Sequence, residues 1–289
     1  MSPCGVLATT TAITLLAITA CAVYGFRHGN DLSLIDGYYG FAPLVHVAMT
    51  LVLWHDTTPR GLLVTAAVGA WSLGLGYQLS SRWWRVERHR GGDVRYRLTS
   101  ERIGLGDGAG QLPPGYYCKC YLAVAVPQVL LITILTLPAQ LSIMITGVPL
   151  GITDGIGLVM IAIGGATEVA ANWQLERFKA ARRPGQTLMT GLFAWSRHPN
   201  YFGNLMVYLG CYVVAISEPA LWWTVISPIA ILVVLRFVLG VHMTDQLMLE
   251  KRRNNAEYLR YVATTPSFVP VPPALRRLAA KAGGRPNDS

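Results

Sequence analysis

The sequence predicts an all-α protein, a polytopic membrane helix bundle with about seven transmembrane helices. Three observations carry this reading. Hydrophobic residues make up 52% of the chain and charged residues only 13%, with a mean hydropathy of +0.39, whereas soluble chains carry about 25% charged residues. Uncharged runs approaching or exceeding the roughly 20 residues needed to cross hydrocarbon recur along the whole length. Basic residues, finally, are confined to a few loops, as expected of a chain oriented in a bilayer.

Taken in order, the uncharged runs are 5–26, 37–54, 61–81, 120–153, 155–167, 199–217 and 219–235. The fifth is short unless its helix runs on past Glu168 to Gln174, which would place an ionisable group near one of its ends. His46 lies inside the second run and is expected to be a hydrogen-bonded packing residue. The N-terminal Met-Ser-Pro-Cys-Gly lacks the basic region of a signal peptide, so the first run is expected to stay as a helix.

Lys and Arg crowd the segments 82–119, 177–197 and 236 onward, while the connections at Asp154 and Glu218 hold no basic residue. The positive-inside rule then puts the C-terminus in the cytoplasm and, with an odd number of crossings, the N-terminus outside. The net charge of +9 is an orientation signal. No basic stripe interleaved with exposed aromatics suggests nucleic acid, and none is expected as a partner. The membrane is the endoplasmic reticulum or another endomembrane in a eukaryote and the inner membrane in a bacterium.

The longest polar stretch, 82–119, is too short for an independent core. Residues 1–271 therefore read as a single integral-membrane domain. Residues 272–289 read as a basic tail that forms a turn or two of amphipathic helix before becoming disordered. Five cysteines include only one close pair, Cys118 and Cys120, and none of the six histidines is four residues from another. No metal site is expected.

The chemistry-bearing segment is Ser-Arg-His-Pro-Asn-Tyr-Phe-Gly at 196–203, a cationic, proline-broken run that opens into an apolar helix. Arg197 offers a planar fork for phosphate or carboxylate, His198 a second donor, Pro199 a fixed φ at the first helical turn, and Gly203 room for close approach. Arg177, Lys179, Arg182 and Arg183 lie in the same loop, and Lys251, Arg252 and Arg253 follow the last crossing. Cations converging from separate loops suit a pyrophosphate and a ribose phosphate, although the positive-inside bias explains their sign as well.

The motifs NWQLERFK (172–179), RRPG (182–185), GLFAWSRHPNYFG (191–203), SP (227–228) and EYLRY with TTPSFVP (257–270) resemble the C-terminal domain of the steroid 5-alpha-reductase family. SLID (33–36), Trp71, GGDVRY (91–96), Gln128 and Pro138 resemble the uncharacterised reductase-like branch of that family. The octet by itself is also similar to sterol reductases and to isoprenylcysteine and phospholipid methyltransferases. The resemblance implies NADP(H) as cofactor, held in a half of the domain spanning about 155–270, and reduction of a double bond in a lipophilic molecule drawn from the bilayer. It assigns cofactor binding to Arg182, Arg183, Arg197, His198, Asn200, Tyr201, Asn204, Arg252, Tyr258 and Tyr261. For the catalytic proton it points to Tyr96 with Asp93, and Glu168 is a further candidate near a helix end.

The chain departs from the family pattern at three places: Asn172 stands where Asp is usual, Asn204 where Glu is usual, and Asp245 where Glu is usual. An amide cannot hold a negative charge, so a family member that keeps the fold and has lost turnover is one alternative. A lipid or isoprenyl methyltransferase using S-adenosylmethionine is the other. Against it, the region after the last crossing reads TDQLMLEKRRNNAEY, with Asp245 and Glu250 separated rather than adjacent.

Overall fold

The computed structural model describes residues 1–89, 91–102, 104–105, 112–183, 185–238 and 241–282, and among these there is no strand. The helices are α1 (Pro3–Arg27), α2 (Leu34–Leu53), α3 (Pro59–Arg85), α4 (Val94–Arg102), α5 (Tyr116–Cys120), α6 (Val126–Ile143), α7 (Ile152–Ala181), α8 (Pro199–Ala215), α9 (Ile226–Val233), α10 (Val241–Lys251), α11 (Ala256–Thr264) and α12 (Pro273–Ala282). A π turn at Tyr121–Ala125 joins α5 to α6. Local chemistry sets the starts of α1 and α3. Ser2 Oγ and Thr58 Oγ1 accept the backbone N–H of Gly5 and Gly61 at 3.2 and 3.1 Å, each just before a proline that suits the first turn.

Among the described residues, five segments are long and apolar enough to cross a membrane: Pro3–Arg27, Pro59–His89, Tyr116–Ile143, Ile152–Ala181 and Pro219–Phe237. The protein is therefore an all-helical integral membrane protein. Of the runs read as crossings, 37–54 and 199–217 fall outside this set. α8 has 17 residues, short of the roughly 20 that span hydrocarbon, and α2 is diluted by Asp36, Tyr38, Tyr39 and His46. The uncharged run 120–153 is not one helix, since α6 stops at Ile143 and α7 begins at Ile152. α7 does continue past Glu168 and Gln174 to Ala181.

The chain divides into two compact units, Met1–Ala162 with Val207–Ile231, and Ile163–Met206 with Leu232–Ser289. In the first, α1, α2, α3 and α6 pack side by side, with the α2–α3 pair the most extensive. That pair approaches closely because Gly40 faces Gly76: a Cβ on Gly40 would lie 2.6 Å from the Gly76 Cα. Small residues at a helix contact are how packing is gained where lipid removes the hydrophobic drive.

The apolar core of this bundle holds a buried polar cluster. His46, fully buried, has Thr14 Oγ1 2.6 Å from Nε2 and Thr136 Oγ1 2.6 Å from Nδ1. Gln140 accepts from Thr10 and Thr50 through Oε1 at 2.8 and 3.1 Å and donates to Thr136 at 3.1 Å. The packing role expected of His46 is thus a cluster drawn from α1, α2 and α6. Where α3 begins, beside the end of α6, Arg60 and Asp154 form a bidentate pair at 2.7 and 3.0 Å, both nearly inaccessible. Arg60 also donates to the carbonyls of Val148 and Pro149.

The second unit holds the far half of α7, the first turns of α8, and α10 to α12. Here α7 and α8 meet at Gly203, where a Cβ would lie 2.6 Å from the Gly164 carbonyl oxygen and 2.7 Å from the Glu168 nitrogen. The tail read as mostly disordered is helical over Pro273–Ala282, and 283–289 lie outside the described residues, as do 106–111 of the Gly/Pro-rich loop.

Candidate functional site

The sequence-assigned residues fall into two groups, one in each unit. In the first unit α4 carries Tyr96, whose hydroxyl donates to Asp36 Oδ1 of α2 at 2.5 Å and accepts from Gln128 Nε2 of α6 at 3.0 Å. A phenol has one proton to give, and a carboxylate can only accept when ionised. The direction of both bonds is therefore fixed, and the amide of Gln128 is oriented by them. SLID, GGDVRY and Gln128, far apart in sequence, supply this triad through Asp36, Tyr96 and Gln128.

The Asp93 carbonyl accepts the Tyr96 backbone N–H at 3.1 Å, and its carboxylate faces α3. It pairs with Arg82 at 2.7 Å, and Arg82 also holds Glu87 at 2.5 Å. Asp93 and Tyr96 nevertheless line one small cavity of about 40 Å³, together with Asp31, Ser100, Tyr116 and Cys120. Asp31 accepts from Trp83 Nε1 at 2.8 Å and from the Ser33 backbone N–H, also at 2.8 Å, and Ser33 Oγ bonds to it too.

In the second unit the octet is held in place by the chain that follows α11. Arg197 N donates to the Pro266 carbonyl at 2.9 Å, and Ser196 Oγ donates to the Phe268 carbonyl at 2.8 Å while accepting the His198 N–H at 3.1 Å. Asp245 of α10 then gathers two side chains. Its Oδ2 lies 2.9 Å from Arg197 Nη2 and its Oδ1 lies 3.0 Å from His198 Nε2. Since the carboxylate accepts, Nε2 is the protonated nitrogen. The His198 ring is stacked parallel on Tyr201, centroids 5.2 Å apart. Asn200 sits half-buried in the same first turn of α8.

Arg197 remains unsatisfied. Its Nε and Nη1 are buried with no partner, as is Asn204 Oδ1 one turn into α8. A buried guanidinium that uses only one of its N–H edges is a costly arrangement in isolation, and an anionic ligand would complete it.

Beside this loop is a cleft of about 540 Å³ lined by Arg182, Arg183, Gly185, Met248, Lys251 and Arg252. Among the described residues its wall carries four cations and no acid. Arg182 and Arg183 are exposed. Arg252 is partly committed: its guanidinium donates to the Gly185 carbonyl and Thr187 Oγ1 at 2.5 Å each and to the Gln186 carbonyl at 2.6 Å, so it shapes the RRPG loop as well as facing the cleft. Asn255 caps α11 by accepting Tyr258 N–H at 2.9 Å and also ties to the Gly185 carbonyl at 3.2 Å.

Tyr261 donates to the Phe193 carbonyl at 2.8 Å, which makes it an anchor for the segment leading into the octet. Burial pushes its pKa up. Tyr258 is buried beneath Arg252, and burial first, then the Asp245 charge, raises its pKa while Arg197 and Arg252 oppose the rise. Both phenols stay neutral in ordinary conditions. Glu168, a catalytic candidate from the sequence, lies against Asn204, whose Nδ2 is 3.2 and 3.3 Å from its two oxygens.

Sequence reasoning singled out neither Asp36 nor Gln128 as a partner for Tyr96, although both sit in matched motifs. Asp245 was read only as a departure. Its role as the acceptor common to Arg197 and His198 had no local signal, because 47 residues separate it from His198. Among the described residues no group of His, Cys, Asp and Glu has the arrangement of a metal site.

A model of a family described as a protein of unknown function, DUF1295, matches residues 25–265. No curated protein and no solved structure matches the chain.

Proposed function

Because this chain belongs to the DUF1295 family, within the steroid 5-alpha-reductase-like superfamily, we propose that it is a membrane-embedded NADPH-dependent reductase of a double bond in a lipophilic, enone-like molecule. The observation that carries the reading is the cleft walled by Arg182, Arg183, Lys251 and Arg252, with the unsatisfied guanidinium of Arg197 nearby in the same unit. Four cations without an acid suit a ligand with several phosphate charges. S-adenosylmethionine carries no phosphate and a positive sulfonium, so the same wall repels its reactive end.

NADPH, when bound, supplies a hydride to the electron-poor carbon of a conjugated double bond. The residues of this chain do the remainder. Arg182, Arg183 and Lys251 neutralise phosphate, and Arg252 with Asn255 holds the Gly185 turn in shape for them. Asp245 orients Arg197 and His198, and Arg197 Nε and Nη1 keep hydrogen-bonding capacity that an anion would use.

Tyr96 holds the proton that the reduced product requires. Donation from Gln128 to the phenol oxygen makes it a stronger acid, and Asp36, which accepts the hydroxyl, holds it in position. A site within a bilayer excludes water and draws its substrate from lipid.

In this reading α2 and α8 cross as well as the five longer segments, which gives seven crossings with the N-terminus outside and the basic loops in the cytoplasm. The membrane is the endoplasmic reticulum or a related endomembrane in a eukaryote, or the inner membrane in a bacterium.

The test is ligand-dependent melting of the purified protein in detergent. NADPH raises the melting temperature and S-adenosylmethionine does not; a ligand at 100 times its Kd stabilises by about 2.7 kcal/mol. Arg183→Ala weakens NADPH at least about tenfold, the scale of one charge-assisted contact. A shift with S-adenosylmethionine alone, or with neither ligand, defeats the reading.

A further inference from the structure

α12 starts at Pro273, whose fixed φ suits a first helical position, and its ten residues contain no acid. Leu275 and Leu278, three residues apart, share one face of the helix, and Arg276, Arg277 and Lys281 supply the basic residues of the same ten-residue stretch. Arg276 is turned back onto the second unit, where its guanidinium bonds to the carbonyls of Thr264 and Ala194 and to Thr265 Oγ1. That contact attaches the helix without using its apolar face. Leu275 and Leu278 are 56% and 61% exposed.

The apolar exposure extends to neighbouring segments. Val269 and Trp195 are also exposed, and their strands of chain are tied together by the Val271 N–H to the Trp195 carbonyl at 2.9 Å. The charge around them has one sign. Between Glu257 and Asp288 there is no acidic residue, while Arg260, Arg276, Arg277, Lys281 and Arg285 all fall there. An apolar stripe flanked by cations is complementary to a surface that is apolar below and anionic above. A protein groove would offer the first property without requiring the second, and a chain with five membrane-length helices has a lipid surface close at hand.

We propose that α12 is an interfacial helix that rests on an anionic lipid leaflet, with Leu275 and Leu278 at the acyl boundary and Arg277 and Lys281 among the headgroup phosphates. Each basic residue near such a surface strengthens the attachment about fivefold, and salt weakens it. The cofactor reading plays no part in this argument.

The experiment uses the full chain, labelled at position 278 with an environment-sensitive fluorophore. It is reconstituted into vesicles of phosphatidylcholine alone or of phosphatidylcholine mixed with phosphatidylserine. A nitroxide-bearing lipid quenches the label more strongly in the phosphatidylserine vesicles, and salt reduces that advantage. Arg277→Gln with Lys281→Gln abolishes it, with the thermal transition of the chain serving as the check on folding.

Leu275→Asn removes lipid quenching in both vesicles. A label that a water-soluble quencher reaches equally in both compositions overturns the proposal. So does equal lipid quenching in both, which would exclude recognition of the anionic headgroup. Shielding from both quenchers also overturns it, and would mean that a protein surface or a second copy covers the face.

Discussion

Asn204 Nδ2 donates to the Glu168 carboxylate at 3.2 and 3.3 Å, across the point where α8 and α7 meet at Gly203. The amide at 204, which reads in sequence as the loss of an acid, is thus paired with an acid contributed by the neighbouring helix. The acid usual on α8 has a counterpart on α7 beside it. Loss of turnover does not follow from Asn204 alone.

Asn204→Glu therefore places a second carboxylate against Glu168 in a buried setting. The expected outcome is a fall in stability of about 1–3 kcal/mol, the scale of removing a donor from a buried acceptor, with like-charge repulsion added. Thermal unfolding in detergent measures it. A gain of reductase turnover without loss of stability would show that the site needed the second acid.

Tyr96→Phe removes the proton that Asp36 and Gln128 arrange. If the chain reduces an enone with NADPH as proposed, turnover should fall about 10²- to 10⁴-fold, the usual contribution of a positioned acid, while a melting shift induced by NADPH stays unchanged. Asp93→Asn serves as the comparison: Asp93 is engaged by Arg82, so its loss should lower stability before it touches the chemistry. If the two variants behave alike, Tyr96 is not the donor.

Arg60 and Asp154 form a nearly inaccessible pair. Asp154→Ala leaves a buried guanidinium uncompensated and should cost about 3–5 kcal/mol. The double variant Arg60→Met with Asp154→Leu should regain most of that loss, because an apolar pair of similar size avoids the desolvation. Unfolding of the single and double variants in detergent decides between this and a simple surface contact.

The raised pKa of Tyr261 has an alkaline consequence. In the unfolded chain the phenol ionises near its ordinary value of 10.0, while burial holds the folded pKa above that value. Its contribution to stability is complete below pH 10.0 and is lost as pH rises toward the folded pKa. Tyr261→Phe should remove the bond to Phe193, at a cost of about 1 kcal/mol, and flatten the alkaline decline. Melting curves across that range provide the measurement.

Much of the fold was legible because lipid imposes a simple rule on composition. The uncharged runs at 5–26, 61–81 and 219–235 all lie within membrane-length helices, since a spanning backbone must satisfy its own hydrogen bonds. The break at Met144 to Gly151 was not legible, because the residues between α6 and α7 are as uncharged as the helices themselves.

At the candidate site the cations were readable as a set. Their partners were not, since Asp245 reaches Arg197 and His198 from another helix and Asp36 reaches Tyr96 across 60 residues of sequence. Charge is a property of a residue, whereas pairing is a property of the packed helices.

The buried cluster around His46 carries an evolutionary implication. Thr14, Thr136 and Gln140 each complete a neighbour's hydrogen bonding, and no water-filled space is required to do so. Replacing any one of them strands the rest, so single changes are penalised and lineages should alter these positions as a group or not at all. Across relatives the cluster should be inherited as one character: either the imidazole with its hydroxyls and amide, or an apolar set substituted in concert.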